Sequence, residues 1–186
     1  MRRTQMKRAF FLVLFLVLYG CFAFSTNFTV ELKGAYLNPS GKDFREIYGS
    51  GMTCGGEIGI GVNKSLDFWA GANYFSKKGQ LTFSKEGTEL NIIPFGGGIR
   101  YKILDGTIRP YVGMGVNYYQ FKESNPIGEI SKGGLGYLGK IGGLLKVARG
   151  PMVDLFLEYS YCKLKPADFE INIGGIQAGI GIGYGF

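Results

Sequence analysis

The chain has 186 residues, of which 32 are glycine, 15% are aromatic and 46% are hydrophobic, and its formal net charge is +7. That hydrophobic fraction excludes a low-complexity disordered chain, and the length suits a single domain built around one core or one small barrel. Arg2, Arg3, Lys7 and Arg8 all precede residue 9, so the rest of the chain carries only +3, with no clustered basic face of the kind a nucleic-acid binder needs.

The N-terminus reads as a secretory leader. A basic segment through Arg8 is followed by the apolar run AFFLVLFLVLY over 9–19 and by Ala23-Phe24-Ser25, a small-x-small cleavage site. The expectation is a signal peptide over 1–25 and one exported domain over 26–186. The apolar run is short for a membrane-crossing helix, and no other uncharged run of about 18 residues follows it. Leu18-Tyr19-Gly20-Cys21 permits a competing lipoprotein reading with an acylated Cys21, although Tyr19 is bulky for that slot. Cys54 and Cys162 remain in the exported part. The strand assignment below places them near the outer ends of non-neighbouring strands and on opposite faces, so two free thiols are expected.

From residue 27 onward the period is two. Strand one is expected over 28–37, with Phe28, Val30, Leu32 and Tyr36 on one face and Glu31, Lys33 and Ala35 on the other. A turn-rich loop over 38–50 leads to strand two over 51–62, where Gly55-Gly56 is a candidate bulge. Strand three over 66–76 sets Phe68, Ala70, Ala72 and Tyr74 against Asp67, Trp69, Asn73 and Phe75. A charged loop over 77–89 precedes strand four over 91–103, with Ile93, Phe95, Ile99 and Tyr101 opposite Arg100 and Lys102. Pro94 within it requires a missing ladder bond. Strand five over 108–120 opposes Val112, Met114, Val116 and Tyr118 to Tyr111, Asn117 and Tyr119. An irregular loop over 122–133, strand six over 134–146 and strand seven over 152–162 follow, and after a loop over 163–170 the chain ends on INIGGIQAGIGIGYGF.

In that final stretch Ile176, Ala178, Ile180, Ile182, Tyr184 and Phe186 alternate with Gln177 and four glycines. The glycines exclude a helix, and the length matches the roughly 9–11 residues with which a tilted strand crosses a bilayer. So apolar an edge must be paired, which a closed barrel achieves. Eight strands with alternating long and short connections predict an all-β, eight-stranded antiparallel up-and-down barrel.

The two faces differ in kind. One is free of charge, with Tyr36, Tyr74, Tyr118, Tyr137, Tyr159 and Tyr161 at one rim and Phe28, Phe68, Tyr101, Tyr184 and Phe186 at the other. Such belts are placed where rings meet lipid headgroups. The other carries Glu31, Lys33, Glu57, Asp67, Arg100, Lys140, Asp154 and Glu158, which are expected to pair and fill a lumen only wide enough for side chains. The lumenal rings Trp69, Phe75, Tyr111, Tyr119 and Phe156 are expected to cover glycines of neighbouring strands.

With a terminal Tyr184-x-Phe186, the chain from about Phe28 to Phe186 resembles the small bacterial outer-membrane β-barrels, the class of the OmpA transmembrane domain, OmpX and OmpW. The resemblance implies residence in the bacterial outer membrane among its lipids and lipopolysaccharide. It also implies that the barrel-insertion machinery recognises the terminal strand through Tyr184 and Phe186. Barrel enzymes of that membrane use a histidine, and this chain has none, so catalysis is not expected. Gly179-Ile180-Gly181 lies within a strand and opens no helix, so no nucleotide or other cofactor is expected. The first functional expectation is a structural or surface-binding barrel, with Lys42, Lys77, Lys78, Lys85, Lys122, Lys132, Lys163 and Lys165 in the loops able to meet lipopolysaccharide phosphates or remain solvated. The alternatives are a narrow channel for small apolar or ionic solutes and, less favoured, a lipid-modifying enzyme.

Overall fold

Strands whose side chains alternate apolar and polar can bury one face only by pairing into a sheet, and a sheet removes its edges only by closing. The computed structural model shows that closure. It describes residues 27–80, 87–126, 128–147, 149–164 and 171–186. The expected leader and the alternative acylation at Cys21 lie outside the described residues, as do Lys85 and Lys165.

Eight strands form the barrel: β1 (Asn27–Pro39), β2 (Gly51–Gly61), β3 (Leu66–Gln80), β4 (Gly87–Lys102), β5 (Ile108–Asn125), β6 (Gly128–Lys146), β7 (Pro151–Tyr161) and β10 (Gly175–Gly185). Each pairs antiparallel with its neighbours in sequence, and β10 closes on β1 with Val30 opposite Tyr184 and Leu32 opposite Ile182. A two-residue ribbon, β8 (Lys163–Leu164) with β9 (Ile171–Asn172), and the helix α1 (Lys42–Tyr48) lie between barrel strands.

Three sequence expectations are corrected. The β1–β2 register runs unbroken from Leu32 opposite Gly56 to Gly34 opposite Cys54, so there is no bulge and parity is continuous. The described parts of the segments 77–89 and 122–133 are also strand, apart from a turn at Pro126. β3 to β6 have 15, 16, 18 and 19 residues against 11 for β2, β7 and β10, so this wall of the barrel stands taller than the rest. Their upper parts carry buried residues on the lumenal parity, Leu90, Ile92 and Phe121, and that burial favours continuing the ladder over forming loops. The segment 38–50, expected as a loop, contains α1, which ends at Gly49 in the left-handed region with φ 67°.

Pro94 faces a gap in the ladder: β3 and β4 pair through Ala72 and Phe95 and resume at Phe75 and Ile92. The turns at the other end are short. In one of them the Asn63 side-chain oxygen accepts backbone N–H bonds from Ser65 and Leu66, both 2.8 Å. Outward residues are exposed and apolar through the middle of the wall, with Leu32, Leu135 and Met114 at 74%, 75% and 63% exposure. The belts close around them. Tyr137 stacks on Tyr161 at 5.3 Å, Phe95 meets Tyr118 at 5.4 Å, and at the other rim Tyr184 meets Phe186 at 4.8 Å. Cys54 faces outward and Cys162 is buried, and both are free.

Candidate functional site

Among the described residues, the lumen is where several strands bring polar side chains together out of water. Its lower and middle levels hold the charges. Arg100, fully buried on β4, directs Nη1 to Glu31 Oε1 and Glu57 Oε1, each at 3.3 Å, and Nε to Asp67 Oδ2 at 3.4 Å. Lys33 Nζ lies 2.8 Å from Glu57 Oε2, 3.2 Å from Asp154 Oδ2 and 3.5 Å from Glu31 Oε2. Lys140 Nζ reaches Glu57 Oε2 at 2.7 Å, so one carboxylate is shared by three cations. These seven of the eight charges singled out in the sequence meet in one cluster.

Glu158 stands apart. It is opposite Lys140 in the β6–β7 register but has no ion pair among the described residues, and it accepts a hydrogen bond from Gln177 Nε2 at 3.4 Å. Gln177 Oε1 in turn accepts from Thr53 Oγ1 at 3.1 Å. Two members were not anticipated. Lys102 Nζ pairs with Asp67 Oδ1 at 2.6 Å, and Tyr111 donates its hydroxyl proton to Asp154, 3.0 Å from either oxygen. Lys102 shares the parity of Arg100 on β4, a signal the sequence did contain; the Tyr111 contact spans 43 positions and had none.

Aromatic rings line the same level. Lys140 Nζ sits 3.7 Å from the Trp69 ring centre, Lys33 Nζ 4.8 Å from that of Phe156, and Arg100 Cζ 5.2 Å from that of Tyr111. The rings also cover glycine backbone: a Cβ on Gly115, Gly142 or Gly179 would come within 2.7 Å of Trp69, Tyr111 or Phe156 respectively.

Above the charges the lumen turns apolar. Leu37, Phe75, Leu90, Ile92, Tyr119 and Phe121 from the barrel pack with Phe44 and Tyr48 of α1 and with Leu164, Ile171 and Ile173 of the ribbon segment. α1 and the ribbon thus cap the mouth by inserting side chains into it. Burial raises the Tyr48 phenol well above its ordinary value and pushes the Cys162 thiol at the rim up to about 11. Two cavities of about 20 Å³ each remain inside, lined in part by Thr53, Asn73, Pro94 and Gln177, each with room for one water. No group of three metal-ligating side chains occurs among the described residues.

A closed eight-stranded barrel with an apolar wall, two aromatic belts and tall connections at one end alone is a bilayer-spanning architecture. No family model matches the chain, and no curated protein sequence does. Solved structures do. Neisserial surface protein A aligns with 86% of this chain and 97% of its own at 17% identity and a TM-score of 0.66. The outer-membrane protein OprG of Pseudomonas aeruginosa aligns over 87% and 96% at 15% identity and a TM-score of 0.69. The chain has the fold of the small outer-membrane β-barrels. Ail, the attachment invasion locus protein of Yersinia pestis, shares it over 86% and 98% of the two chains at 13% identity and a TM-score of 0.54.

The two terminal residues singled out in the sequence lie at the end of β10. Tyr184 is half-exposed on the outer wall, and Phe186, just beyond the strand, donates its N–H to Phe28 O at 2.8 Å. Of the loop lysines, Lys77 Nζ turns inward to Ser50 O at 2.8 Å, and Lys122 pairs with Glu129 at 2.9 Å.

Proposed function

We propose that the protein is a sealed barrel of the bacterial outer membrane whose role is structural or binding at the cell surface, without catalysis and without a standing channel. The filling of the lumen at two levels carries this reading. An ion crossing it would have to displace both a buried charge cluster and a packed apolar plug, and the two cavities lined in part by Thr53, Asn73, Pro94 and Gln177 hold single waters. The charge cluster holds the wall in register, and Tyr184 and Phe186 serve as the terminal signal read by the insertion machinery. The surface available for binding is the tall wall of β3 to β6, which carries Lys78, Lys122 and Lys132 beside Glu89 and Glu129. A barrel of this fold does take a ligand: Ail has been solved in complex with the heparin analogue sucrose octasulfate. Lipopolysaccharide phosphates are the corresponding anions next to this wall.

Planar-bilayer recording tests the reading, after heat-shifted gel mobility has shown that the refolded barrel is formed. Silence is expected. Discrete, reproducible conductance steps from folded protein would overturn the sealed lumen and put the narrow channel in its place.

A further inference from the structure

At the end opposite the plug, the lumen opens into a cup of about 140 Å³. Lys102, Arg109 and Lys146 line it, with Asp67 as the one acidic side chain among the lining residues. Lys102 and Asp67 neutralise each other at 2.6 Å. Arg109 Nη2 meets Asp105 at 2.5 Å, while its Nε donates to Gly106 O at 3.1 Å, so the guanidinium is held at the rim. Lys146 has no ion pair among the described residues. Lys64 and Arg149 in the adjoining turns leave this end of the barrel with five cationic side chains against two acidic ones, Asp67 and Asp105.

A second observation is independent of that charge. Five buried polar atoms have no hydrogen-bond partner among the described residues: Thr29 Oγ1, Arg100 Nε and Nη2, Glu31 Oε2 and Glu57 Oε1. Arg100 Nε and the two carboxylate oxygens lie within ion-pair distance of partners in the charge cluster. Thr29 Oγ1 and Arg100 Nη2 face one point: a Cβ on Gly59 would lie against Thr29 Oγ1 and 3.0 Å from Arg100 Nη2. Thr29 itself lines the cup. A hydroxyl and a guanidinium N–H left open in a buried setting are costly unless an acceptor completes them, and an oxyanion supplies several acceptors at once.

We infer that this cup is a binding site for a phosphate group, held by Lys146 and Arg109 at the rim and reaching toward Thr29 and Arg100 at the roof. The phosphate can come from a free inorganic ion or from a phospholipid headgroup of the adjacent leaflet; both present the same oxygens.

Calorimetric titration of the refolded full barrel in non-ionic maltoside micelles separates these sources. One arm adds inorganic phosphate. The other adds a short-chain phosphatidylglycerol, with a diacylglycerol of the same chain length as the phosphate-free control. Saturable one-to-one binding is expected in at least one arm, weakened about tenfold in Lys146→Gln and in Arg109→Gln, the loss of one charge-assisted contact. Arg45→Gln, exposed on α1 at the opposite mouth, should leave it unchanged. Binding of phosphate alone identifies the free ion, and binding of phosphatidylglycerol alone identifies the headgroup. Absence of binding in both arms, or binding equally strong in both variants, would overturn the site. Gel mobility of each variant establishes that it is folded, so a lost signal is not lost structure.

Discussion

The lower lumen is filled by nine charged side chains, five acids and four bases, whereas the upper lumen is filled by Leu90, Ile92, Phe121 and the side chains that α1 and the ribbon segment insert from above. Both levels use the same inward parity of the same strands. They differ in what surrounds them. Inside the bilayer span the wall is apolar on its outer face, so lumenal charges are out of reach of bulk water and must satisfy one another. Above the belts water reaches the outer face of the tall strands, and an apolar interior gives those strands a core of their own, as in a soluble sheet. The first level therefore depends on charge matching and the second on volume.

That contrast can be broken from either side. Arg100→Met removes the guanidinium from Glu31, Glu57 and Asp67 and leaves buried carboxylates short of a cation; a loss of about 3–5 kcal/mol is expected in the urea unfolding of the refolded barrel. A loss below about 1 kcal/mol would mean that Lys33 and Lys102 can re-pair the cluster and that matching is loose.

Leu90→Ala tests the plug. Truncating a buried leucine costs about 2–5 kcal/mol, and the lower end is expected because α1 can settle into the space. Alkylation of Cys162, buried beside the plug, should accelerate in this variant and stay slow in Arg100→Met, which distinguishes the two levels by readout as well as by size.

The smallest effect is of pH. Because burial raises the Cys162 thiol from 9.0 to about 11, the unfolded chain gives up that proton first. The contribution is therefore complete below about pH 9 and declines from there up to about pH 11, so plug stability should fall across that window, and Cys162→Ser should flatten the fall. An unchanged slope in Cys162→Ser would place the thiol in contact with water.

Much of this was legible before any coordinates. Alternation is a local property: which face Arg100 or Ile99 takes is fixed by its neighbour one residue away, because successive strand side chains point to opposite sides. Hence the eight strands, the two faces and the belts followed from the sequence. The heights of the hairpins did not, since Lys77, Lys78, Lys122 and Lys132 look like loop composition, and only the apolar interior between them, with α1 above it, makes strand the better state. Nor did the pairing across the lumen. Lys140 lies opposite Glu158 in its own ladder, yet its ammonium crosses the barrel to Glu57, 83 positions away. Sequence spacing carries no information about that choice. The stagger of eight closed strands sets which inward side chains share a level, and the burial they share there decides which of them bond.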